Sequence, residues 1–257
     1  MRFWKWHALG NSYLVVERDT RGRPVGPELA GRLCDVRYGI GSDGVVEVAA
    51  VDGARAEIVI WNPDGSVAEF SGNGSRIAAA WLARRSSASQ VTIAVGDRTY
   101  SAALQGDGTV AMALGAVEVG ETETIELGDE RVELTAVSVG NPHAVVRGAA
   151  DRDELLRLGP QIETHSRFPE RTNVQLVRVD GPNELSVLVW ERGAGETSAS
   201  GSSAVAAAAA AVTNGWCESP VRVRMPGGEL RVELDSENGV TLVGPAEEIC
   251  EGELRLP

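Results

Sequence analysis

The sequence predicts an α+β protein of two pseudo-symmetric lobes, each a curled sheet of short strands wrapped around one long helix. Three observations carry this. Residues 61–84 (WNPDGSVAEFSGNGSRIAAAWLAR) and 190–214 (WERGAGETSASGSSAVAAAAAAVTN) share one design, a polar turn, a Ser-Gly pair and an alanine-rich run. Upstream of each lies a matching marker, LGNSYLVV at 9–16 and VGNPHAVV at 139–146. Asn11 precedes Ser71 by 60 positions and Asn141 precedes Ser200 by 59, so about half the chain is duplicated. Most of the remainder alternates as short strands between turn residues. The lobes are placed at residues 1–117 and 118–257, with the two helix starts expected to face one site in the cleft between them.

Taken in order, residues 3–17 read as strand, turn at Gly10-Asn11, strand. Pro27 opens a helix whose apolar spacing (Leu29, Leu33, Val36) carries it to Val36. GIGSDG at 39–44 is a tight loop before Val45, and 56–61 is a strand. Asn62-Pro63-Asp64-Gly65 has the residues of a β-turn. Alanine, the best helix former, predicts a helix from about Gly72 and another from about Gly201, the second stopped by Asn214-Gly215. Strands follow at 91–95, 98–104 and 110–114. A glutamate-rich stretch at 117–133 marks the lobe boundary, between about Leu114 and Glu121. The second lobe opens with strands at 131–139 and 144–147. A short helix at 151–158 is ended by Gly159-Pro160. Strands at 172–179 and 185–190 precede the second alanine-rich helix, and hairpin strands fill 221–256.

Composition is that of a soluble globular chain, 257 residues with 43% hydrophobic and 24% charged. A net charge of −13 argues against nucleic acid or an anionic membrane as partner. The longest apolar run, residues 204–212, is too short to span a bilayer, and MRFWKWHALGNSY has no signal-peptide core, so a cytoplasmic protein is expected. Cys34, Cys217 and Cys250 are scattered, and His7, His143 and His165 lack metal-ligand spacing, so no metal is expected. GxSxG and GxxxxGK[ST] are absent.

Chemistry concentrates at the two helix starts. A helix N-terminus offers unpaired N–H groups and a positive dipole end, which suit a carboxylate or phosphate. Glu191 and Arg192 precede the second start; Arg192 supplies a planar fork for a carboxylate, whereas the bland alternative is a solvated surface pair. For Asn62 and Asn141 the alternative is a turn residue bonding its own backbone. His143 is either a satisfied core histidine or a supporting catalytic group.

FSGNGSR, GNPHAVV, TNV and ERGAGETSASG, with NPDGS and the early LGN, closely resemble the diaminopimelate epimerase family. The resemblance runs from Leu9 to Ser202. It implies two lobes, each a β-barrel around a central helix, a homodimer, and a cofactor-independent epimerase converting LL- to meso-diaminopimelate, a lysine and peptidoglycan precursor. It makes Asn62, Asn173 and Arg192 binders of a distal carboxylate, with Glu191 facing a distal amine. The backbone at Gly72, Asn73, Gly201 and Ser202 becomes the cradle of the α-carboxylate, with Asn11 and Asn141 beside it. The family's two catalytic cysteines correspond to Ser71 and Ser200. A thiol ionises near 8.5 and an aliphatic hydroxyl near 15.7, a gap on the order of 10 kcal/mol. A helix dipole returns at most about 2 kcal/mol, so a two-thiol mechanism does not transfer to serines. His143 and Glu191 are then the candidate proton carriers. The alternatives are a silent homologue that binds an amino acid, or a different isomerase or lyase reaction in the same pocket.

Overall fold

A computed structural model of the chain describes residues 1–18, 24–237 and 239–254. The last expected hairpin strand, drawn to Leu256, therefore runs past the described residues. Eighteen strands and four helices are present among them. The chain divides into two compact units, Met1–Ala113 with the segment from Gly244 onward, and Leu114–Val243.

In the first unit β1 (Arg2–Ala8) pairs antiparallel with β2 (Asn11–Glu17). β2 runs parallel to β3 (Val45–Asp52) across helix α1 (Gly26–Cys34). β4 (Arg55–Trp61) returns antiparallel, carries the short β5 (Val67–Ala68), and lies parallel to β6 (Gln90–Val95) across helix α2 (Gly72–Ser86). β7 (Arg98–Leu104) and β8 (Thr109–Ala116) continue as antiparallel hairpins.

The second unit repeats the plan. β9 (Glu118–Leu127), β10 (Glu130–Ser138) and β11 (Pro142–Arg147) are antiparallel neighbours. β11 runs parallel to β12 (Asn173–Gly181) across α3 (Arg152–Glu163). β13 (Glu184–Glu191) carries the short β14 (Gly195–Thr197) and lies parallel to β15 (Val221–Met225) across α4 (Gly201–Thr213). β16 (Gly228–Leu234) and β17 (Gly239–Pro245) close the series.

Each sheet wraps its alanine-rich helix. α2 packs against β1, β2, β3, β4, β6 and β7, and α4 against β9 through β13, β15 and β16. A helix surrounded on all sides has no polar face, and Ala204 and Ala206 to Ala211 are fully buried. Small side chains let the strands come close to the helix axis. The outer helices α1 and α3 instead bury one stripe each, Ala30 and Leu33 against Leu14 and Val45, and Leu155, Leu158 and Ile162 against Val174 and Leu176.

The structure differs from the sequence expectations in four places. α1 stops at Cys34, because Asp35 turns extended and its carboxylate accepts from the N–H groups of Arg37 and Tyr38 at 2.7 Å, which leaves Val36 83% exposed. α3 runs through Gly159-Pro160 to Glu163. The glutamate-rich boundary stretch is a strand, β9, with Ile125 facing the core. The tail does not belong wholly to the 118–257 lobe: β18 (Glu247–Glu253) pairs with β1, in the place β9 takes beside β10.

Candidate active site

In the first unit the site is built at the start of α2. Ser71 is its N-cap, with Oγ accepting from Gly74 N at 3.1 Å. Tyr13 Oη, from β2, lies 3.0 Å from the same Oγ. Gly72 and Asn73 are buried in the first turn. Asn73 Nδ2 donates to Asn11 Oδ1 (3.0 Å), so the repeated Gly-Asn turn and the helix start meet. Beneath them Arg76 is fully buried, donating to Gly72 O and to Asn73 Oδ1 at 3.2 and 2.7 Å. Burial lowers its pKa to about 10, so it stays a cation at neutral pH, and this charge adds to the positive end of α2. Asn62 behaves as the turn residue of the alternative reading: its O accepts from Gly65 N and its Nδ2 donates to Ser66 Oγ.

In the second unit Ser200 precedes α4 without making a cap hydrogen bond, and its Oγ lies 3.5 Å from Ser202 Oγ. Ser200 and Thr197 both lie beside the Glu191 carboxylate. Burial pushes the Glu191 pKa up, against the lowering effect of these hydroxyls. Asn173 is a clamp, with Nδ2 donating to Pro142 O and Oδ1 accepting from Arg192 N, both at 3.0 Å. Arg192 is exposed and gives one donor to Glu170 O. His143 is buried between Asn141, whose Oδ1 is 2.9 Å from Nε2, and Gln175, whose Nε2 is 3.0 Å from Nδ1. Burial lowers its pKa to about 3, with the Arg192 charge adding to the effect, so His143 is neutral and a weak proton acceptor. A cavity of about 690 Å³ opens beside Asn141 and His143, lined also by Arg167, Phe168, Glu170 and Arg171.

Sequence reasoning missed four residues that build this site. Tyr13 hides in an apolar strand. Gln175 supports His143 from the next strand. Glu163 accepts from Trp190 Nε1 and Gly193 N, both at 2.7 Å, and pairs with Arg171, so it fixes the Glu191-Arg192 turn. Glu47 takes Trp61 Nε1 at the same distance in the first unit. The repeated Trp61 and Trp190, each just before a site turn, were the available signal for the two glutamates.

The family model of diaminopimelate epimerase matches residues 3–120 and 135–249. The chain belongs to the diaminopimelate epimerase family. It is 38% identical to the diaminopimelate epimerase of Desulforudis audaxviator over 274 residues, covering 98% of each chain. It is 36% identical to that of Ectopseudomonas mendocina, covering 100% of this chain and 99% of that one. Among solved structures, a predicted epimerase from Pseudomonas aeruginosa aligns over 100% of this chain and 99% of its own, with TM-score 0.74 at 16% identity. A hydroxyproline epimerase from Agrobacterium vitis, holding trans-4-hydroxy-L-proline, aligns over 99% and 90% with TM-score 0.71 at 14% identity. These two similarities establish the shared α+β fold. The diaminopimelate epimerase family is a family of isomerases, and this member carries serine at 71 and 200 and has its thiols elsewhere, Cys34 on α1, Cys217 after α4 and Cys250 on β18.

Proposed function

We propose that this chain is a cofactor-independent epimerase acting on diaminopimelate, on the route to lysine, with Glu191 as the group that takes the α-proton. The observation that carries this is the half-buried Glu191 carboxylate, beside Ser200 at the start of α4, whose pKa desolvation raises. Desolvation raises its proton affinity toward working pH, which is what a general base needs. The N–H groups at the start of α4 receive the α-carboxylate, and Arg192 takes the distal one. His143 serves by holding Asn141. Ser200 stands beside the base and guides the proton rather than forming an alkoxide.

The test is deuterium incorporation at the α-carbon of LL-, meso- and DD-diaminopimelate in heavy water. Exchange is expected with the parent, and Glu191→Gln should slow it by about 10²–10⁴-fold. Since the carboxylate must be ionised to act, the parent rate should fall as pH drops through the raised Glu191 pKa. The serine pair favours one competing reading, a binding protein without the reaction. Tight binding of an isomer with no exchange would establish that reading and end this one.

A further inference from the structure

Ser200 lies beside a carboxylate, whereas Ser71 is hydrogen-bonded to a phenol. We propose that Tyr13 and Ser71 form a two-hydroxyl proton relay, in which Tyr13 is a catalytic residue that replaces the proton Ser71 gives to the substrate α-carbon. This rests on the epimerase reading above.

Hydrogen-bond accounting sets the direction of the relay. A serine oxygen has two acceptor positions and one proton. Gly74 N occupies one acceptor position of Ser71 Oγ at 3.1 Å, as the helix cap. Tyr13 Oη, 3.0 Å away, fills the second when it donates, and the Ser71 proton is then the only part of the hydroxyl left to point at a ligand. Were Ser71 to donate to Tyr13 instead, only an acceptor position of the hydroxyl would remain, with no proton to give the substrate α-carbon. Acidity supports the same direction. A phenol ionises near 10 and an aliphatic hydroxyl near 15.7, so coupling to tyrosine makes Ser71 a far stronger acid than a serine alone.

The ring is seated for this task. Tyr13 is buried, and a Cβ added at Gly44 would fall 2.5 Å from its Cε1 and 2.9 Å from Trp61 O. A Cβ on Gly74 would reach 3.4 Å from the same ring atom. Only a bare backbone at position 44 lets the ring lie this close. On either side the chain is pinned, Ser12 N and Oγ donating to Asp43 Oδ2 at 2.7 and 3.0 Å and Asp43 N to Ser12 O at 2.9 Å. The phenol oxygen is thereby held at the helix cap with little freedom to leave it.

The step balances without a co-reactant. Once a base has removed the α-proton, the C–H electron pair remains on the substrate as a carbanion conjugated with its carboxylate. The Ser71 O–H bond breaks as the new C–H bond forms, and the Tyr13 O–H bond breaks as the Ser71 O–H bond is restored. Tyr13 is left as phenolate and regains its proton from solvent. In the reverse direction Tyr13 first loses its proton to solvent, and the phenolate then receives the α-proton through Ser71.

A double-mutant cycle reads the relay. Tyr13→Phe keeps the ring in its slot and removes only the hydroxyl. Against the parent it should cut α-deuterium incorporation by about 10²-fold or more, with KM changed much less. In a Ser71→Cys background the thiol carries its own acidic proton, so the same Tyr13→Phe change should cost under about tenfold. Equal losses in both backgrounds would overturn the relay and leave Tyr13 as packing. A parent that exchanges nothing, whether or not it binds an isomer, would overturn the epimerase reading and the relay with it.

Discussion

At the scale of single residues, the polarity of the site is set by side chains that the ligand need not touch. The two amide hydrogens of Gln175 go to His143 Nδ1 and Ser203 Oγ, each at 3.0 Å. His143 therefore carries its proton on Nε2 and gives it to Asn141 Oδ1, which leaves Asn141 Nδ2 to donate outward. Arg76 works in the same way in the first unit: it fills Asn73 Oδ1, and Asn73 Nδ2 fills Asn11 Oδ1. Imidazole nitrogen NMR should show His143 as the Nε2–H tautomer across neutral pH, and Gln175→Glu should convert it to Nδ1–H; an Nδ1–H parent would refute this polarity. Because the folded pKa of about 3 lies below the ordinary 6.5, the unfolded chain binds more protons between them, so this histidine makes stability fall as pH drops through that range. Asn11, Asn141 and His143 were legible in the sequence as a repeated motif. Gln175 and Tyr13 were not: Tyr13 stands at the repeat position of His143 but carries a different side chain, and each acts through a fold contact with a residue far along the chain.

At the scale of elements, α3 shows why local signals failed. Gly159-Pro160 reads as a helix end, because proline lacks the N–H that continues a helix. Yet Leu155, Leu158 and Ile162 all bury on one stripe across it, and the packing gained outweighs one lost backbone bond. Gly159 is there for closeness: a Cβ would lie 2.7–2.9 Å from Trp190 Cγ, Cδ2 and Cβ. Trp190 in turn donates to Glu163, which holds Gly193 N. Gly159→Ala should thus destabilise the protein by about 1–3 kcal/mol in denaturant unfolding and weaken ligand binding by loosening the Glu191-Arg192 turn. Unchanged stability would mean that Trp190 has room to move. The end of α1 was misread for a related reason, as Leu29, Leu33 and Val36 keep helical spacing while the Asp35 carboxylate diverts the backbone. The alanine-rich helices were legible because composition and burial agree there: a helix enclosed by strands is mostly small and buried along its length, as Ala78 to Ala80 and Ala206 to Ala211 are.

At the scale of the whole chain, the duplication was legible and the place of its final strand was not. Both units have the same strand order and parallel crossings, as the spacing of Asn11 to Ser71 and Asn141 to Ser200 implied. The sequence alone gave no sign that β18 leaves the segment preceding it and pairs with β1, Arg2 opposite Glu253 and His7 opposite Glu247. Met1 and Leu254 exchange hydrogen bonds of 2.7 and 2.8 Å, so these strands lie as a hairpin without its loop. Residues 1–113 alone should therefore expose the β1 edge and aggregate. The same piece with residues 244–254 fused ahead of Met1 by a short turn should stay soluble, as read by sedimentation and circular dichroism; equal behaviour of the two would show that β18 is dispensable. The pairing also sets a timetable for synthesis. β1 leaves the ribosome well before its partner β18, which emerges only after all of Leu114–Val243 has been made. At ordinary elongation speeds of about 5–20 residues per second, β1 and the sheet built on it wait on the order of ten seconds for β18.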